Sequence, residues 1–514
     1  MENMKIRLFV LLIFTLPLYV YSSTYYVDVN GNDGNAGTEF SPWKTIQKAG
    51  SIVNAGDTVI VKSGTYNERV TFAHSGTSDN KIVFKAYPRR TVYMQGFNTT
   101  NGHYIRIEGF DITNNLHGWM GGGIWVSSNN VEIVDNYFHD IPYSAINPNW
   151  SGVSTNNIYV ANNRMYCCTK GIVVSGNGWL VENNEVERLQ YPEGGDCDYS
   201  RFFGENHIIR NNYFHGTIQS EIGRSHTDGF QTFSNNGECA KNIIIEYNVV
   251  RDFYSQGFMM SSGIAGNHDN IIIRNNIFDG AASWGICAEG IYNLKVENNN
   301  FVNMGIHGIG FRMYQGIPTT GIIKNNIFYN AGSNYWSEPG CTLDSGYNLL
   351  YKTSGTISAS SYPNDLVNID PKFVDITNDD YHLQNGSPAI DAGDPTFSIP
   401  AGGGSRIDIG AYEYTSSNGV ALKQDVASTF QLYQNYPNPF NPSTIITYQL
   451  LSASYVTLKV YNVLGKEMAT LVDEVQQPGN ISVRFEAGTL ASGIYFYRLQ
   501  TGTYTETKKL ILLR

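Results

Sequence analysis

Short apolar stretches and asparagine-rich turns alternate along the chain from residue 105 to residue 350. Each stretch ends in Asn-Asn or a close variant, followed by one variable residue and an apolar residue. The second residue of the pair is Asn at positions 136, 163, 184, 212, 248, 276, 299, 326 and 348, in steps of 27, 21, 28, 36, 28, 23, 27 and 22 residues. Steps of this length are typical of a solenoid whose coils stack at the spacing of neighbouring β-strands. The pattern therefore predicts a parallel β-helix over residues 105–364.

A second repeat, glycine followed by apolar, variable and apolar or small residues, lies between the asparagine pairs. It occurs at Gly123–Val126, Gly171–Val174, Gly229–Thr232, Gly257–Met260, Gly285–Ala288 and Gly308–Phe311. Period-two alternation predicts that the apolar members point inward and the variable ones outward. Asn tolerates the left-handed backbone region, and its amide can bond the same residue of the next coil. We therefore interpret the asparagines as a structural ladder. Leucine-rich repeats have a similar length, but the leucines and helices that they require are missing.

The composition agrees with turn-rich β-structure. Charged residues make up 15% of the 514 residues, whereas Gly (52) and Tyr (35) are abundant. A formal charge of -11 and the lack of any basic run argue against a nucleic-acid-binding protein, because phosphate binding needs clustered Lys and Arg. The six cysteines permit disulfides in an oxidising compartment, with Cys197 and Cys239 as one possible pair. Their spacing does not match a structural zinc site.

The N-terminus has the three parts of a secretion signal. Two basic residues precede the apolar run Leu8–Val20, and the small residues Ser22 and Ser23 follow it. The run is shorter than the roughly 20 residues that cross a membrane as a helix, and no later apolar segment approaches that length. We therefore expect residues 1–23 to be a signal peptide and the mature chain to have no transmembrane span.

The segments on either side of the repeats contain further motifs: Tyr25–Asp28, Gly31–Gly34, Pro42–Ala49 and Gly56–Tyr66 on the N-terminal side, and Ser387–Gly393 and Asp408–Glu413 on the C-terminal side. These motifs resemble those of bacterial right-handed β-helix proteins. This family includes many polysaccharide lyases. The resemblance implies a right-handed parallel β-helix, with residues 24–104 as the cap and first coils and residues 365–414 as the closing segment. A helix over Lys44–Val53, with Ser41 as its N-cap, would close the open end of the solenoid.

The repeat ends before residue 415, and a different module follows. Residues 415–430 read as a linker, and the prolines Pro437, Pro439 and Pro442 mark a boundary. The alternation after them predicts a small antiparallel, Ig-like β-sandwich. Residues 431–514 closely resemble the C-terminal sorting domain of type IX secretion, which implies the type IX machinery as a partner and a secreted or cell-surface location. The alternative is an Ig-like adhesion or carbohydrate-binding module.

The longest step of the ladder, 36 residues, holds the densest set of chemically useful side chains. In it, Arg224 could neutralise a uronate carboxylate, and His226 could take or return a proton. Asp228 could orient His226, and Gln231 could bond sugar hydroxyls. The run His-x-Asp-Gly-Phe-Gln is also similar to a pattern in several carbohydrate-active β-helix proteins. The alternative is a capped turn with an ordinary loop histidine.

The outward side of the neighbouring coils extends this candidate site. Phe233, Ser261, Glu289 and Arg312 fall at equivalent positions one coil apart. Glu289 and Arg312 should therefore be neighbours, either as catalytic groups or as a surface ion pair.

The preceding coil and two tryptophans add further candidates for substrate binding. Asp198 and Arg201 lie in an irregular stretch and could lengthen the cleft or bind a cation. Trp125 and Trp284 could stack on sugar rings, or pack only against the protein.

One loop near the N-terminus partly matches a calcium-binding frame. Asp28, Asn30, Asn32 and Glu39 fall at positions 1, 3, 5 and 12 of an EF-hand-like loop, but Asp33 stands where glycine is required. The alternative to calcium binding is an Asx-rich turn. We predict no other cofactor.

Three functions fit these features. The first is a polysaccharide lyase that cleaves an acidic glycan by β-elimination on the outer face of the solenoid. The second is a glycoside hydrolase, which needs two carboxylates about 5 to 9.5 Å apart, for which Asp228 and Glu289 are the candidates. The third is a non-catalytic glycan-binding or adhesion protein. In each case we expect a monomer with a polysaccharide as its substrate or ligand.

Overall fold

The computed structural model describes residues 22–114, 116, 121–148, 155–190, 196–234, 237–262, 268–281, 283–357, 362–400, 403–414, 431, 432, 435, 438, 440–450, 454–463, 465–476, 479–488, 490–501 and 504–513. The predicted signal peptide, except for Ser22 and Ser23, and the predicted linker 415–430 lie outside these residues. Within the described ranges no helix has the length and apolar character needed to cross a membrane.

The main body is the expected parallel β-helix, and most coils contribute one strand to each of three faces. The first face contains Thr24–Val27, Ile105–Glu108, Glu132–Val134, Tyr159–Ala161, Leu180–Glu182, Ile208–Arg210, Lys241–Glu246, His268–Arg274, Ile291–Tyr292, Leu294–Glu297, Thr320–Lys324 and Thr342–Gly346. The second face contains Asp111–Ile112, Tyr137–His139, Arg164–Tyr166, Glu185–Glu187, Tyr213–His215, Val249–Arg251, Ile277–Ala281, Asn300–Met304, Ile327–Tyr329, Leu349–Tyr351 and Leu366–Val367. The third face contains Ile124–Val126, Ser144–Pro148, Lys170–Val174, Ser200–Phe202, Phe230–Phe233, Phe258–Ser261, Trp284–Glu289, His307–Arg312 and Ser333–Ser337. Two long strands, Thr58–Thr71 and Ile82–Asn98, bend around all three faces.

The core of the solenoid consists of columns of identical or similar apolar side chains. Phe278, Phe301 and Phe328 stack at centroid distances of 5.3 Å, one from each successive coil of the second face. Parallel pairing places equivalent residues of adjacent coils directly above one another, so an apolar inward position forms a continuous column. The inward apolar positions predicted from the alternation are buried, as expected.

The asparagine ladder is confirmed, and the structure divides its two roles between the two residues of each pair. The first residue takes the left-handed conformation, with φ of 61° at Asp135 and 56° at Asn275. The second is buried and donates its amide to a backbone carbonyl of the preceding coil and to the Oδ1 of the next ladder residue. For Asn276 these acceptors are Ile245 O at 2.9 Å and Asn299 Oδ1 at 3.0 Å.

Tyr247 occupies a left-handed position of the ladder, where an aromatic residue is unfavourable. Its φ is 56°, whereas Asn takes this position in most coils. Because its side chain is half exposed, we expect Tyr247→Asn to stabilise the protein by about 0.5 to 1 kcal/mol. Urea unfolding of the full chain measures the change, with Asn211→Tyr (φ 54°) as the reverse substitution. A midpoint that falls for Tyr247→Asn would contradict the argument.

A short helix covers the start of the core, but it is shorter than predicted. It spans Ile46–Gly50, and its N-cap is Thr45, whose Oγ1 accepts from Lys48 N at 3.1 Å. The Ser41 cap and the Lys44–Val53 range were therefore wrong. The reason is that Asp33 holds the backbone of Lys44 and Thr45 in an extended entry, accepting from both N–H groups at 2.9 Å.

The segment 365–414 covers the side of the last coils. Its hairpin, Phe373–Asp375 and Asp380–Leu383, packs on outward apolar residues of the second face such as Ile277 and Ile327. Further along the segment, Ala411 N donates to Asn300 Oδ1 at 3.1 Å. Without this segment the outward apolar side chains of the second face would be exposed to solvent, and the segment buries them.

The C-terminal module is the expected pair of small antiparallel sheets. One sheet contains Gln431–Leu432, Ser443–Leu450 and Gly479–Glu486; the other contains Ser454–Asn462, Glu467–Gln476, Gly493–Thr501 and Tyr504–Leu512. A shared apolar core lies between them.

The predicted disulfide of the β-helix body is absent. Cys197 forms no disulfide with Cys239, and its sulfur lies 3.0 Å from Thr227 Oγ1.

Candidate active site

The coil from Asn212 to Asn248, which is the longest step of the ladder, carries a loop beside the third face. This loop contains the short helix Gln219–Ile222, and His226 and Asp228 follow the helix. The two residues are two apart in an extended segment, so their side chains lie on the same side. His226 Nδ1 is 3.2 Å from Asp228 Oδ2, the predicted orienting contact. The Asp228 side chain has no exposed surface, whereas 43% of the His226 side chain is exposed.

The environment of this pair sets its protonation. The hydrogen bond to Asp228 raises the pKa of His226, because it favours the charged imidazolium. Burial raises the pKa of Asp228, and its hydrogen bonds oppose that effect. Asp228 Oδ1 also accepts from Gln256 N at 2.8 Å. A hydrogen bond from the backbone therefore fixes the Asp228 carboxylate, and this carboxylate in turn holds the His226 imidazole at the surface.

A second buried carboxylate holds a guanidinium one coil earlier. Asp198, which has no exposed side-chain surface, accepts from Arg201 Nε at 2.6 Å, and Arg201 Nη2 lies 3.0 Å from Asp196 Oδ2. The other oxygen of Asp198 accepts from Asp228 N at 3.2 Å, so the two carboxylates belong to one network. Burial raises the pKa of Asp198. Asp198 therefore positions Arg201, and as a buried residue it does not itself contact a substrate.

Lys170 lies one coil before Asp198 and was missed in the sequence analysis. The pairing of Ile172 with Ser200 places Lys170 level with Asp198. Burial lowers the pKa of Lys170, and Arg201 lowers it further. Among the described residues no carboxylate lies within 4.0 Å of its ammonium, which sits 5.4 Å from the ring centre of Tyr143. In the sequence, the sign that Lys170 could belong to the site was its position directly before Gly171, where one of the glycine repeats begins. We call Lys170, Arg201 and His226 the basic cluster.

The other predicted residues of this region differ in their accessibility. Arg224 is exposed, two residues before His226 in the chain. Gln231 is only 8% exposed and donates to Asp228 at 3.4 Å, so it supports the carboxylate and lies beneath the surface that sugar hydroxyls would touch. Trp125 is 7% exposed, stacks on Tyr143, and lies four coils before the strand that follows Asp228. Burial removes it from the site.

The predicted outward column is confirmed, and its first member, Phe233, has its ring centre 5.7 Å from the guanidinium carbon of Arg201 in the basic cluster. Phe233 pairs with Ser261, Ser261 with Glu289, and Glu289 with Arg312. Arg312 Nη1 is 2.5 Å from Glu289 Oε1. Burial raises the pKa of Glu289.

The strand pairing places the backbone of Glu289 far from that of Asp228. Glu289 shares the column of Phe233, five residues along the strand from Asp228 and two coils on, a backbone separation of roughly 15 to 20 Å. This exceeds the spacing of a glycosidase pair. Glu289 and Arg312 therefore lie further along the third face than His226, and the pairing of Asp228 with Glu289 as hydrolase carboxylates stays a prediction.

The residues of the predicted calcium loop bond the protein itself. Asp28 Oδ1 accepts from Asn30 N at 2.9 Å, and Asn32 Oδ1 accepts from Gly34 N at 2.8 Å, which are Asx turns. Asp28 also lies 3.7 Å from Lys62 Nζ, and Glu39 is exposed. The calcium site stays a prediction.

Another group in the described part of the chain has metal-ligand character. The ligand atoms of Glu185, Glu187 and His215 lie within 4.8 Å of one another on the second face. Arg164 already pairs with both carboxylates, at 3.2 Å and 2.7 Å. In the basic cluster, the guanidinium of Arg201 takes the place between Asp196 and Asp198 that a cation would need.

Two family models match this chain. Residues 25–166 match the model described as Pel9A-like, right handed beta helix region. Residues 434–513 match the secretion system C-terminal sorting domain. The chain is thus a β-helix protein that carries a type IX sorting domain and is exported to the cell surface or beyond it.

Known proteins resemble parts of the body. The uncharacterized protein YwoF of Bacillus subtilis is 26% identical over 339 residues, which are 59% of this chain and 68% of that protein. Pectate lyase PEL9 of Emericella nidulans is 33% identical over 79 residues, 15% of this chain and 19% of that protein. Similar solved structures include the GH136 lacto-N-biosidase from Eubacterium ramulus (14% identity, TM-score 0.43, 67% of this chain, 68% of that one) and a rhamnogalacturonan lyase (16%, 0.41, 70% and 92%).

Proposed function

We propose that this protein is an exported polysaccharide lyase that cleaves an acidic glycan by β-elimination at the basic cluster. The observation that carries the proposal is that two fully buried carboxylates, Asp198 and Asp228, hold a guanidinium and an imidazole at the third face, with an ammonium of lowered pKa one coil away. A glycosidase would instead expose its two carboxylates to the sugar. The match of residues 25–166 to the Pel9A-like model and the 79-residue similarity to a pectate lyase support the same reaction class.

The elimination needs a base, an acid and charge neutralisation. Lys170, in its neutral form, takes the proton from the carbon next to the uronate carboxylate, because burial favours the uncharged amine. The electron pair of that C–H bond forms the new C=C double bond as the bond to the glycosidic oxygen breaks. The imidazolium of His226 donates a proton to the departing oxygen, and exposed Arg224 neutralises the carboxylate. Lys170 and His226 are two coils apart, about 10 Å between their backbones, and Arg201, held by Asp198, lies on the coil between them, so the sugar ring lies across all three side chains.

The reaction class is tested directly. Purified full-length protein is incubated with polygalacturonate, alginate, chondroitin and a neutral galactan, and both the ultraviolet absorbance of the new double bond and the reducing ends are followed. We expect both signals to rise together on at least one acidic polymer. Reducing ends without unsaturation would show hydrolysis, and no product on any polymer would leave a binding protein; either result overturns the proposal.

The pH dependence tests the pairing of His226 with Asp228. Activity needs neutral Lys170 and protonated His226, so the optimum lies midway between their two pKa values. Asp228 raises the pKa of His226. Asp228→Asn removes that charge but keeps an acceptor for Gln256 N, so we expect the optimum of kcat/KM to move to lower pH and its maximum to fall.

A matched control on the first face is Asp269→Asn, which should leave the pH profile in place. Asp269 bonds Asn293 at 2.8 Å, on a face without the basic cluster. An unchanged optimum in Asp228→Asn would show that His226 does not titrate in the reaction.

A further inference from the structure

Three aromatic side chains gather on the third face beyond the basic cluster. Trp284 and His307 occupy the same column in adjacent coils, with ring centres 4.3 Å apart. Trp336 stacks parallel to His307 at 6.0 Å and lies edge-on to Trp284 at 6.3 Å. We call these residues the aromatic patch. Their strands follow that of Phe230–Phe233 by two, three and four coils, which is roughly 10 to 19 Å along the solenoid axis.

The sheet beneath the patch is shaped to receive the Trp284 ring. A Cβ atom at Gly310 would lie 1.8 Å from Trp284 Cζ3, so the indole rests directly on the backbone at Gly310. Gly310 pairs with Cys287 on one side and Trp336 on the other. The ring therefore lies flat across the strands, and its outer side remains partly exposed. Trp336 beside it is 39% exposed, which is unusual for so large an apolar side chain.

The patch contains a histidine and lies near an exposed cation. His307 Nδ1 is buried and has no hydrogen-bond partner in the described structure. Arg312, on the same strand as His307, is 43% exposed and uses Nη1 for Glu289. A guanidinium has five N–H donors, so the others can reach a carboxylate from solvent. Flat aromatic surface beside a cation suits a sugar ring that carries a carboxylate.

We propose that the aromatic patch and Arg312 form a second glycan-binding site that holds a uronate residue of the polymer. The site rests on the proposed function, since the same acidic chain would run along the solenoid axis from the basic cluster to the patch. The coil spacing of about 4.8 Å is close to the advance of a polymer per sugar residue, and the patch lies three to five coils beyond the coil between Lys170 and His226, so the bound uronate is about three to five sugars from the scissile bond. The patch thereby gives the protein a preference for long chains.

The test measures binding in a protein that does not turn over its substrate. Full-length Lys170→Met is compared with its double variants carrying Trp336→Ala, Arg312→Gln or Phe40→Ala, and the Kd values for polygalacturonate, alginate and a neutral galactan are determined by affinity electrophoresis. Phe40 is the matched control because it is 97% exposed and lies in the N-terminal cap. We expect Trp336→Ala and Arg312→Gln each to weaken binding of one acidic polymer about 3- to 10-fold, and Phe40→Ala to leave it unchanged.

Each outcome decides the proposal. Equal Kd values for Trp336→Ala and Phe40→Ala, or no binding of either acidic polymer, overturn the second site. Binding of galactan as tight as that of the acidic polymers overturns the uronate assignment. If Arg312→Gln weakens binding while Trp336→Ala is misfolded by circular dichroism, Arg312 alone supports the site. Binding that depends on Trp336, when the parent protein with Lys170 in place produces no unsaturated ends, supports the second site and rejects the lyase.

Discussion

Replacing Lys170 with Met should lower kcat on the cleaved polymer about 1000-fold and leave KM within a factor of about three, since a positioned base contributes 10² to 10⁴ in rate. Met keeps the apolar stem of the side chain and removes only the amine. Lys170 is partly buried and has no ion pair among the described residues, so its loss leaves no buried carboxylate unpaired. Kinetics on the polymer identified in the substrate screen measure the effect.

The control for this variant is Lys295→Met, because Lys295 is a partly buried lysine of the first face, far from the basic cluster. It should retain full activity. A further readout separates a base from a structural lysine: small primary amines added to Lys170→Ala should restore rate in proportion to their basicity. If Lys170→Met keeps more than about a tenth of kcat, the base is another residue and the assignment fails.

The sequence predicts the fold well because the fold repeats one local rule. Each coil needs one residue in the left-handed conformation and one buried amide, and the Asn pairs meet both needs. Counting residues between pairs then gives the register of the strands, which is why the column from Phe233 to Arg312 was placed correctly. The helix at Ile46–Gly50 was placed less well because its start depends on Asp33, a contact 12 residues away from Thr45.

The candidate site was only partly predictable, because its residues come from coils with unequal loops. The pair of His226 and Asp228 follows from a spacing of two in an extended segment. Lys170 acquires its role only through alignment with Asp198 and through burial, and neither is encoded in its neighbours in the sequence. Burial also separates the supporting residue Gln231 from groups that can touch a substrate.

Replacing Asn276 with Ala should destabilise the body by about 3 to 9 kcal/mol. Its Oδ1 accepts from the backbone N–H of Asn248 and from its side-chain amide, both at 2.9 Å, and its own amide donates to Ile245, Arg274 and Asn299. Ala supplies none of these bonds, so a buried N–H and two carbonyls lose a partner, at about 1 to 3 kcal/mol each. Asn276 is fully buried, and water cannot replace the lost contacts.

Urea unfolding of the full-length protein, followed by far-ultraviolet circular dichroism, measures this loss against Asn80→Ala. Asn80 is exposed in a turn, so its substitution should stay within about 0.5 kcal/mol of the parent. Because a solenoid is stabilised mainly by contacts between neighbouring coils, the break at Asn276 should also raise hydrogen exchange in Lys241–Glu246 and Leu294–Glu297 before more distant coils. A loss below about 1 kcal/mol would mean that the ladder amides do little to hold adjacent coils together, and that the apolar columns provide that stability.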